Sequence, residues 1–327
     1  MAEVVAFTCP VFVRVGGKEA AASSIIKPQP HRPGRFIFHD PGTAEGRAAL
    51  LGIRVPRGQR FTQPITIHET HTAALLFTIP SQGPPLEFDY SVHFSSSQEL
   101  VDTLRKLHSA PARLAKLHER FAGVNFAGDY MEEYNEQILA VSLISPDARV
   151  LELGANVGRN TAVIAMLLRD PSRLVSFETS HFEACAAKLN LAKLGLGRVC
   201  VEEAAVSSIR LQQSMWLTRP IPPGQSGPDK GWTEVRTIPY AAVLKRFGSF
   251  DTLVADCEGA LLLILRDAPE LLETMRLVII ENDYKDLAHY EEVAGRFIDR
   301  GFRKIIHMSN PAADFPTKSF FYEAWVR

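Results

Sequence analysis

The chain has 327 residues, with 36 Lys and Arg against 37 Asp and Glu, 46% hydrophobic residues and 22% charged ones. At roughly 150 residues per domain, that length leaves room for one large domain and a smaller companion. The composition excludes a disordered, collagenous or coiled-coil chain, and a formal charge of -1 argues against non-specific adhesion to a polyanion as the main task.

The N-terminus, MAEVVAFTCPVFVRV, is apolar but lacks a positive leading region, carries Glu3 and is broken by Pro10. It reads as a strand and not as a secretion signal. Short β-rich runs follow (RFIFHD, LLGIRV, PITIHET, AALLFTIP, LEFDYSVHF), cut by Pro and Gly clusters. They predict a small β-rich domain over residues 1–95, of the antiparallel sandwich or barrel kind. The period then changes: Leu100, Leu104, Leu107, Leu114 and Leu117 recur at helical spacing, with Ser97 placed as a cap. Residues 96–145 are read as a helical linker.

Residues 146–327 repeat a βα pattern: RVLELG, RLVSFE, RVCVEEAAV, FDTLVAD and RLVIIE alternate with helices, and FRKIIHMSN and SFFYEAWVR close the chain. Strands written as continuous apolar runs predict a parallel sheet covered on both faces, an α/β doubly wound, Rossmann-like fold. Ligands of such sheets sit at the carboxyl ends of the strands. TRPIPPGQSGPDKGW, flanked by Trp216 and Trp232, is the one loop-like stretch and is read as a candidate lid. The two indoles either close over a sugar or base or staple a hairpin.

No apolar run reaches the length of a membrane span, and Cys9, Cys185, Cys200 and Cys257 contain no C-x-x-C pair. Four buried or half-buried thiols in a soluble, cytoplasmic protein are the expectation.

The first strand of this half ends in LELGANVGRNT, with Glu152, Gly154 and Gly158 at a strand-to-helix turn. Glycines there permit a sharp turn and close approach of a ligand. A dinucleotide site has a third glycine and amides facing pyrophosphate. Here a carboxylate precedes the turn, which repels phosphate and suits the ammonium and sulfonium of S-adenosylmethionine. The second strand ends in Glu178, where an acid takes both ribose hydroxyls.

These residues, with the turns that follow, resemble the FkbM-type S-adenosylmethionine-dependent methyltransferases over about residues 141–327. The family's glycine-alanine-asparagine-x-glycine motif is similar to Gly154, Ala155, Asn156, Val157 and Gly158, with Thr161 beyond. Glu178 matches its ribose acid and Asn190 the asparagine closing the next helix. Ala204 and Ala205 match its alanine pair. The aspartate-x-glutamate-glycine-alanine signature appears as Asp256, Cys257, Glu258, Gly259 and Ala260, and a closing glutamate as Glu281. The chain departs from the pattern at Val254, Leu261 and Thr179. The resemblance implies a class I methyltransferase sheet and methyl transfer to a hydroxyl of a sugar, glycan or small metabolite. It implies cofactor contacts from Glu152, Gly154, Ala155, Asn156, Gly158, Asn160, Thr161, Glu178, Thr179, Glu203, Ala204, Ala205 and Asp256. Asp256, Glu258 and Glu281 fall beside the methyl and are the catalytic candidates, as base or as groups holding the acceptor.

Asp256, Glu258, Glu281, Asn282 and Asp283 also form an oxygen-rich set of the kind Mg²⁺ or Ca²⁺ accepts, although the sequence does not count ligands and a metal is not favoured. His181 is either at the edge of an adenine pocket or at a solvated helix start. Two other readings stand beside the first. Arg105, Lys106, Arg113, Lys116 and Arg120 suggest a nucleic-acid contact and an RNA ribose or cap methyltransferase, or else a solvated helix face. The departures suggest an inactive cofactor-binding scaffold whose N-terminal domain binds a partner.

Overall fold

The computed structural model describes residues 96–310 and 312–327 throughout, and before them the backbone of seven strands; side chains are described for 91–94, 96, 98–310 and 312–327. In chain order the first strands are β1 (Val11–Val15), β2 (Lys18–Ala20), β3 (Arg35–His39), β4 (Ala49–Val55), β5 (Ile65–Glu69), β6 (Leu75–Ile79) and β7 (Phe88–Phe94). The six runs singled out in the sequence therefore each contain a strand. Cys9 and the leader-like residues before Val11 lie outside the described residues, as do the side chains of His68 and His71.

Helices α1 (Ser97–His118) and α2 (Tyr134–Leu143) follow. Leu100, Leu104, Leu107 and Leu114 are buried while Arg105, Lys106, Arg113 and Lys116 are exposed, so α1 is an amphipathic helix with an exposed basic face. Its cap is Ser96, whose hydroxyl accepts the Glu99 amide at 3.2 Å. That is one residue earlier than the cap expected at Ser97, and it satisfies an amide the first turn leaves without a helical partner.

The remaining strands are β8 (Val150–Leu153), β9 (Leu174–Glu178), β10 (Cys200–Glu203), β11 (Ala205–Val206), β12 (Leu211–Ser214), β13 (Leu217–Pro220), β14 (Thr233–Val235), β15 (Thr237–Ile238), β16 (Thr252–Ala255), β17 (Leu277–Glu281), β18 (Arg303–Met308) and β19 (Tyr322–Val326). Between them run α3 (Arg159–Leu167), α4 (His181–Lys193), α5 (Tyr240–Phe247), α6 (Leu261–Asp267) and α7 (Leu287–Asp299).

The chain divides into two compact units, Met1–Pro111 with Ile305–Ser309, and Ala112–Lys304 with Asn310–Arg327. In the first unit, β2, β1, β5 and β6 form an antiparallel sheet in that order, and β7 pairs antiparallel with both β4 and β18. In the second unit the order is β10-β9-β8-β16-β17-β19, parallel except for β19, which runs antiparallel to β17. This is a Rossmann-like sheet of the expected α/β class. Every residue of β8, β9 and β16 is buried, which explains why these strands read as unbroken apolar runs. Leu151, Val175, Phe177, Leu253 and Val278 pack into one core with Leu261, Leu265 and Phe297 from the covering helices. Among the described residues, no helix is long and apolar enough to cross a membrane.

The segment read as a lid is in part a sheet: β12 pairs antiparallel with β13 and β14. Arg219 lies 4.0 Å from the Trp232 ring centroid, and Asp229 accepts hydrogen bonds from Gln212 and Arg219. Trp232 is thus the hairpin staple, while Trp216, 49% exposed, is left beside the cleft described below. Cys200 and Cys257 are half-buried as expected, but Cys185 is exposed, because its position on α4 faces outward.

Candidate functional site

The two glycines of the first turn are required by the protein's own packing. Gly154 has φ +92°, and a Cβ there would stand 1.5 Å from the Asp256 carbonyl oxygen. Gly158 has φ +86°, and a Cβ there would press on Ala187 of α4 at 3.2 Å. The sharp turn expected there is present, and packing adds a reason of its own: Gly154 lets β8 meet the turn after β16, and Gly158 lets α4 lie against α3. Asn156 adopts a left-handed φ of +48°, its side chain accepting the Val157 amide at 2.7 Å.

Glu178, at the end of β9, accepts the Asn156 amide at 2.8 Å on one oxygen and the Ser180 amide at 2.8 Å on the other. Burial pushes its carboxyl above the ordinary range, and the Ser180 and Asn156 amides oppose that shift. Glu152 does not face the ligand space. It is 2% exposed, and one oxygen accepts the hydroxyls of Thr161 at 2.7 Å and Ser176 at 2.5 Å. Burial raises its carboxyl to about 7 against those two hydrogen bonds. The anion that the sequence places beside the turn is thus spent on joining β8, α3 and β9.

A cleft opens at the carboxyl ends of these strands and encloses about 830 Å³ including its mouth, a size that suits a nucleoside-bearing ligand. Gly154, Asn156, Glu178, Thr179, Ala204, Ala205, Asp256 and Glu258 line it, with an apolar wall from Val206, Leu211, Leu263 and Ile264. Of the expected cofactor residues, Ala155, Gly158, Asn160 and Thr161 lie behind the turn and do not line it. Glu203 lines a neighbouring cleft, where His181, the exposed first residue of α4, reaches it at 2.9 Å. Asn190 donates to the Ala127 and Val157 carbonyls and accepts the Ala127 amide, clasping the segment before α2 to the glycine turn.

The opposite end of the cleft is acidic. Glu258 stands in a left-handed turn with φ +51°, followed by Gly259 at +78°; a non-glycine residue held in that region marks a site whose surroundings fix it. Burial raises Asp256 well above the usual carboxylate range, and the charges of Glu281 and Asp283 raise it further. Burial likewise raises Glu281, to about 7, opposed by a hydrogen bond with Glu136. Glu258 is raised by burial and drawn back by a hydrogen bond with Asp283 and the charge of Lys285. Burial pushes Glu136 and Asp283 well above the usual carboxylate range, and the neighbouring charges, Asp256 and Glu281 for the first and Glu281 and Glu258 for the second, push in the same direction. The sequence reading missed Glu136 and its neighbour Glu133. They belong to the start of α2, and Glu133 accepts the Asn160 amide at 3.0 Å and pairs with Arg159 at 3.1 Å. The available signal for Glu136 was an acid just ahead of the apolar residues Ile138 to Val141, where a buried carboxyl has to face something polar.

Residues 125–206 match the family of protein-L-isoaspartate(D-aspartate) O-methyltransferases. That stretch contains α2, the glycine turn, α3, β9 and α4. Among solved structures, the chain is similar to the O-methyltransferase from Bacillus cereus in complex with SAH, at 15% identity, covering 66% of this chain and 91% of that one with a TM-score of 0.39. It is also similar to the precorrin-6y C5,15-methyltransferase from Geobacter metallireducens, at 12% identity over 63% of this chain and 94% of that one, TM-score 0.39. The ribosomal protein L11 methylase from Lactobacillus delbrueckii subsp. bulgaricus gives 13% identity over 62% and 82%, TM-score 0.37. No curated protein matches.

Proposed function

We propose that the chain is an S-adenosylmethionine-dependent O-methyltransferase whose acceptor is a hydroxyl of a sugar, glycan or small metabolite. The observation that carries this reading is a single cleft with a ribose-type acid, Glu178, at one end and proton-avid carboxylates at the other. The FkbM-like turn from Asp256 to Ala260 and the family match over 125–206 support it.

In this reading Glu178 takes the ribose hydroxyls, and Val206, Leu211 and Ile264 enclose the adenine. The sulfonium methyl then points toward Asp256 and Glu258. The acceptor oxygen attacks the methyl carbon, the carbon–sulfur bond breaks, and the sulfur keeps the electron pair as a neutral thioether. The hydroxyl proton passes to Glu258, which faces the cleft and whose upward shift by burial is opposed by the hydrogen bond with Asp283 and the charge of Lys285. A carboxylate whose proton affinity is raised by burial is a better base for that step than a solvated one. Alignment of the three reacting atoms supplies most of the acceleration, on the order of 7–11 kcal/mol in favourable intramolecular systems.

The test is calorimetry with S-adenosylmethionine and S-adenosylhomocysteine, followed by mass spectrometry of sugar, glycan and capped-RNA acceptors incubated with the donor. Saturable donor binding and a mass gain of one methyl on a sugar or glycan are expected. A folded protein that binds neither compound, or one that methylates only the RNA, overturns the reading.

A further inference from the structure

Strands β12 and β13 are joined by a two-residue turn, Met215 and Trp216, with Ser214 paired to Leu217. Turns of that length favour glycine or asparagine, because the chain has to enter the left-handed region. Here Met215 enters it, at φ +52°, and both side chains are exposed, Met215 at 84%. Local turn chemistry asks for neither residue, so the reason for a large indole at this tip lies outside the hairpin.

The two faces of the hairpin differ. On one, Gln212 and Arg219, paired across the strands, both donate to Asp229, and Trp232 lies against Arg219. On the other, Gln213 and Thr218, also paired, line the cleft together with Trp216. The first face fixes the hairpin, and the second is presented to the cleft. Trp216 and Gln213 also border the neighbouring cleft, whose lining includes Thr179 and Glu203, the residues that follow Glu178 and end β10. The tip thus stands at the Glu178 end, where the ribose is taken in the methyl-transfer reading. A ribose that sends its 5′ sulfonium toward Asp256 sends the base on its 1′ carbon the other way, toward the hairpin. An indole is well suited to cover a purine face, and a glutamine amide offers the acceptor and donor that match the exocyclic amine of adenine and its neighbouring ring nitrogen.

We infer that Trp216 stacks on the adenine of the methyl donor and that Gln213 reads the edge of that base, so that the β12–β13 hairpin sets which nucleoside the cleft accepts. The inference rests on the methyl-transfer reading and adds base recognition to it.

The experiment titrates S-adenosylhomocysteine into the full chain, followed by calorimetry and by tryptophan fluorescence, and repeats it with S-inosylhomocysteine, in which a carbonyl replaces the exocyclic amine. Saturable quenching is expected to come from Trp216, since Trp325 is buried and Trp232 is covered by Arg219. Trp216→Ala is expected to weaken S-adenosylhomocysteine at least about fivefold and to remove most of the quenching. Trp216→Phe is expected to restore the affinity without the quenching. The native chain should prefer the adenine compound about tenfold, and Gln213→Ala should erase that preference. Unchanged affinity in Trp216→Ala overturns the stacking, as does a variant whose only defect is a raised KM for a saccharide acceptor, and an equal loss of both compounds in Gln213→Ala overturns the edge reading. In each of these cases the native chain still binds S-adenosylhomocysteine and the methyl-transfer reading stands; a native chain that binds neither compound overturns that reading and the inference together.

Discussion

The two ends of the cleft hold carboxylates in opposite ways. Glu178 at one end is satisfied by two backbone amides, and Glu152, behind the cleft wall, by two hydroxyls. Asp256, Glu258 and Glu281 instead face other carboxyls, Glu136 and Asp283 among them. Fixed donors hold a carboxylate in one place and orientation. Carboxyls that face one another exchange protons readily, since the state of each sets the affinity of the next. In the proposed reading the first arrangement holds a ligand and the second transforms one.

The contrast breaks most completely at Gly154, where both ends meet. Because a Cβ there would collide with the Asp256 carbonyl and φ is +92°, Gly154→Ala is expected to cost more than about 3 kcal/mol, or to prevent folding, in urea denaturation. A loss below about 1 kcal/mol would mean that the turn adapts.

The next largest effect separates the ends. Asp256→Asn is expected to lower turnover roughly 100-fold or more while donor affinity stays within a few-fold, measured by steady-state kinetics and calorimetry on one preparation. Equal losses in both would move Asp256 from the reacting centre to the binding end.

Acid titration sharpens the side held by fixed donors. Glu152 rises to about 7 from an unfolded value near 4.5, so the folded state binds the extra proton between those two pH values. Its contribution is fully present below about pH 4.5 and is lost as pH rises through about 7, by up to about 3 kcal/mol. Glu152→Gln should flatten that share of the stability curve, read as Tm against pH; an unchanged slope would place the titration elsewhere.

The smallest effect is at Glu178. Glu178→Ala is expected to weaken the donor by about 1–3 kcal/mol through lost hydrogen bonds to the ribose, with little effect on the acidic end. Unchanged affinity by calorimetry would remove the ribose assignment.

Much of the second unit was legible because its strands carry their own signature. VLEL, LVSFE and TLVA are buried at every position and mostly apolar, and each ends at a turn with glycine or acid. The site was legible only where a turn wrote it. Gly154, Glu178 and Asp256 to Glu258 lie at strand ends, but Glu136 sits in a helix without a motif, and only the folded chain brings it to Glu281. The roles of residues at the turn were harder to read than their positions. Thr161 and Asn160 look like ligand contacts in sequence, yet the first is bonded to Glu152 and the second leans on Glu133 and Glu136. Spacing does not reveal which way a side chain leaves its helix. The hairpin from β12 to β14 was obscured by its Pro and Gly content, since ion pairs such as Arg219 with Asp229 join residues that no local pattern connects.

The pairing of β18 with β7 bears on how this protein can be trimmed. Trimming everything ahead of residue 96 would spare each residue lining the cleft, yet it would strip Ile306, His307 and Met308 of the neighbours they meet in Val92, Ser91 and Tyr90. The shortened chain would then carry a raw strand margin, with open amides and carbonyls ready to template self-association. Its catalytic half is intact on paper and sticky in the tube, and a soluble minimal version has to keep residues 88–94 or mask the 303–308 margin with charge.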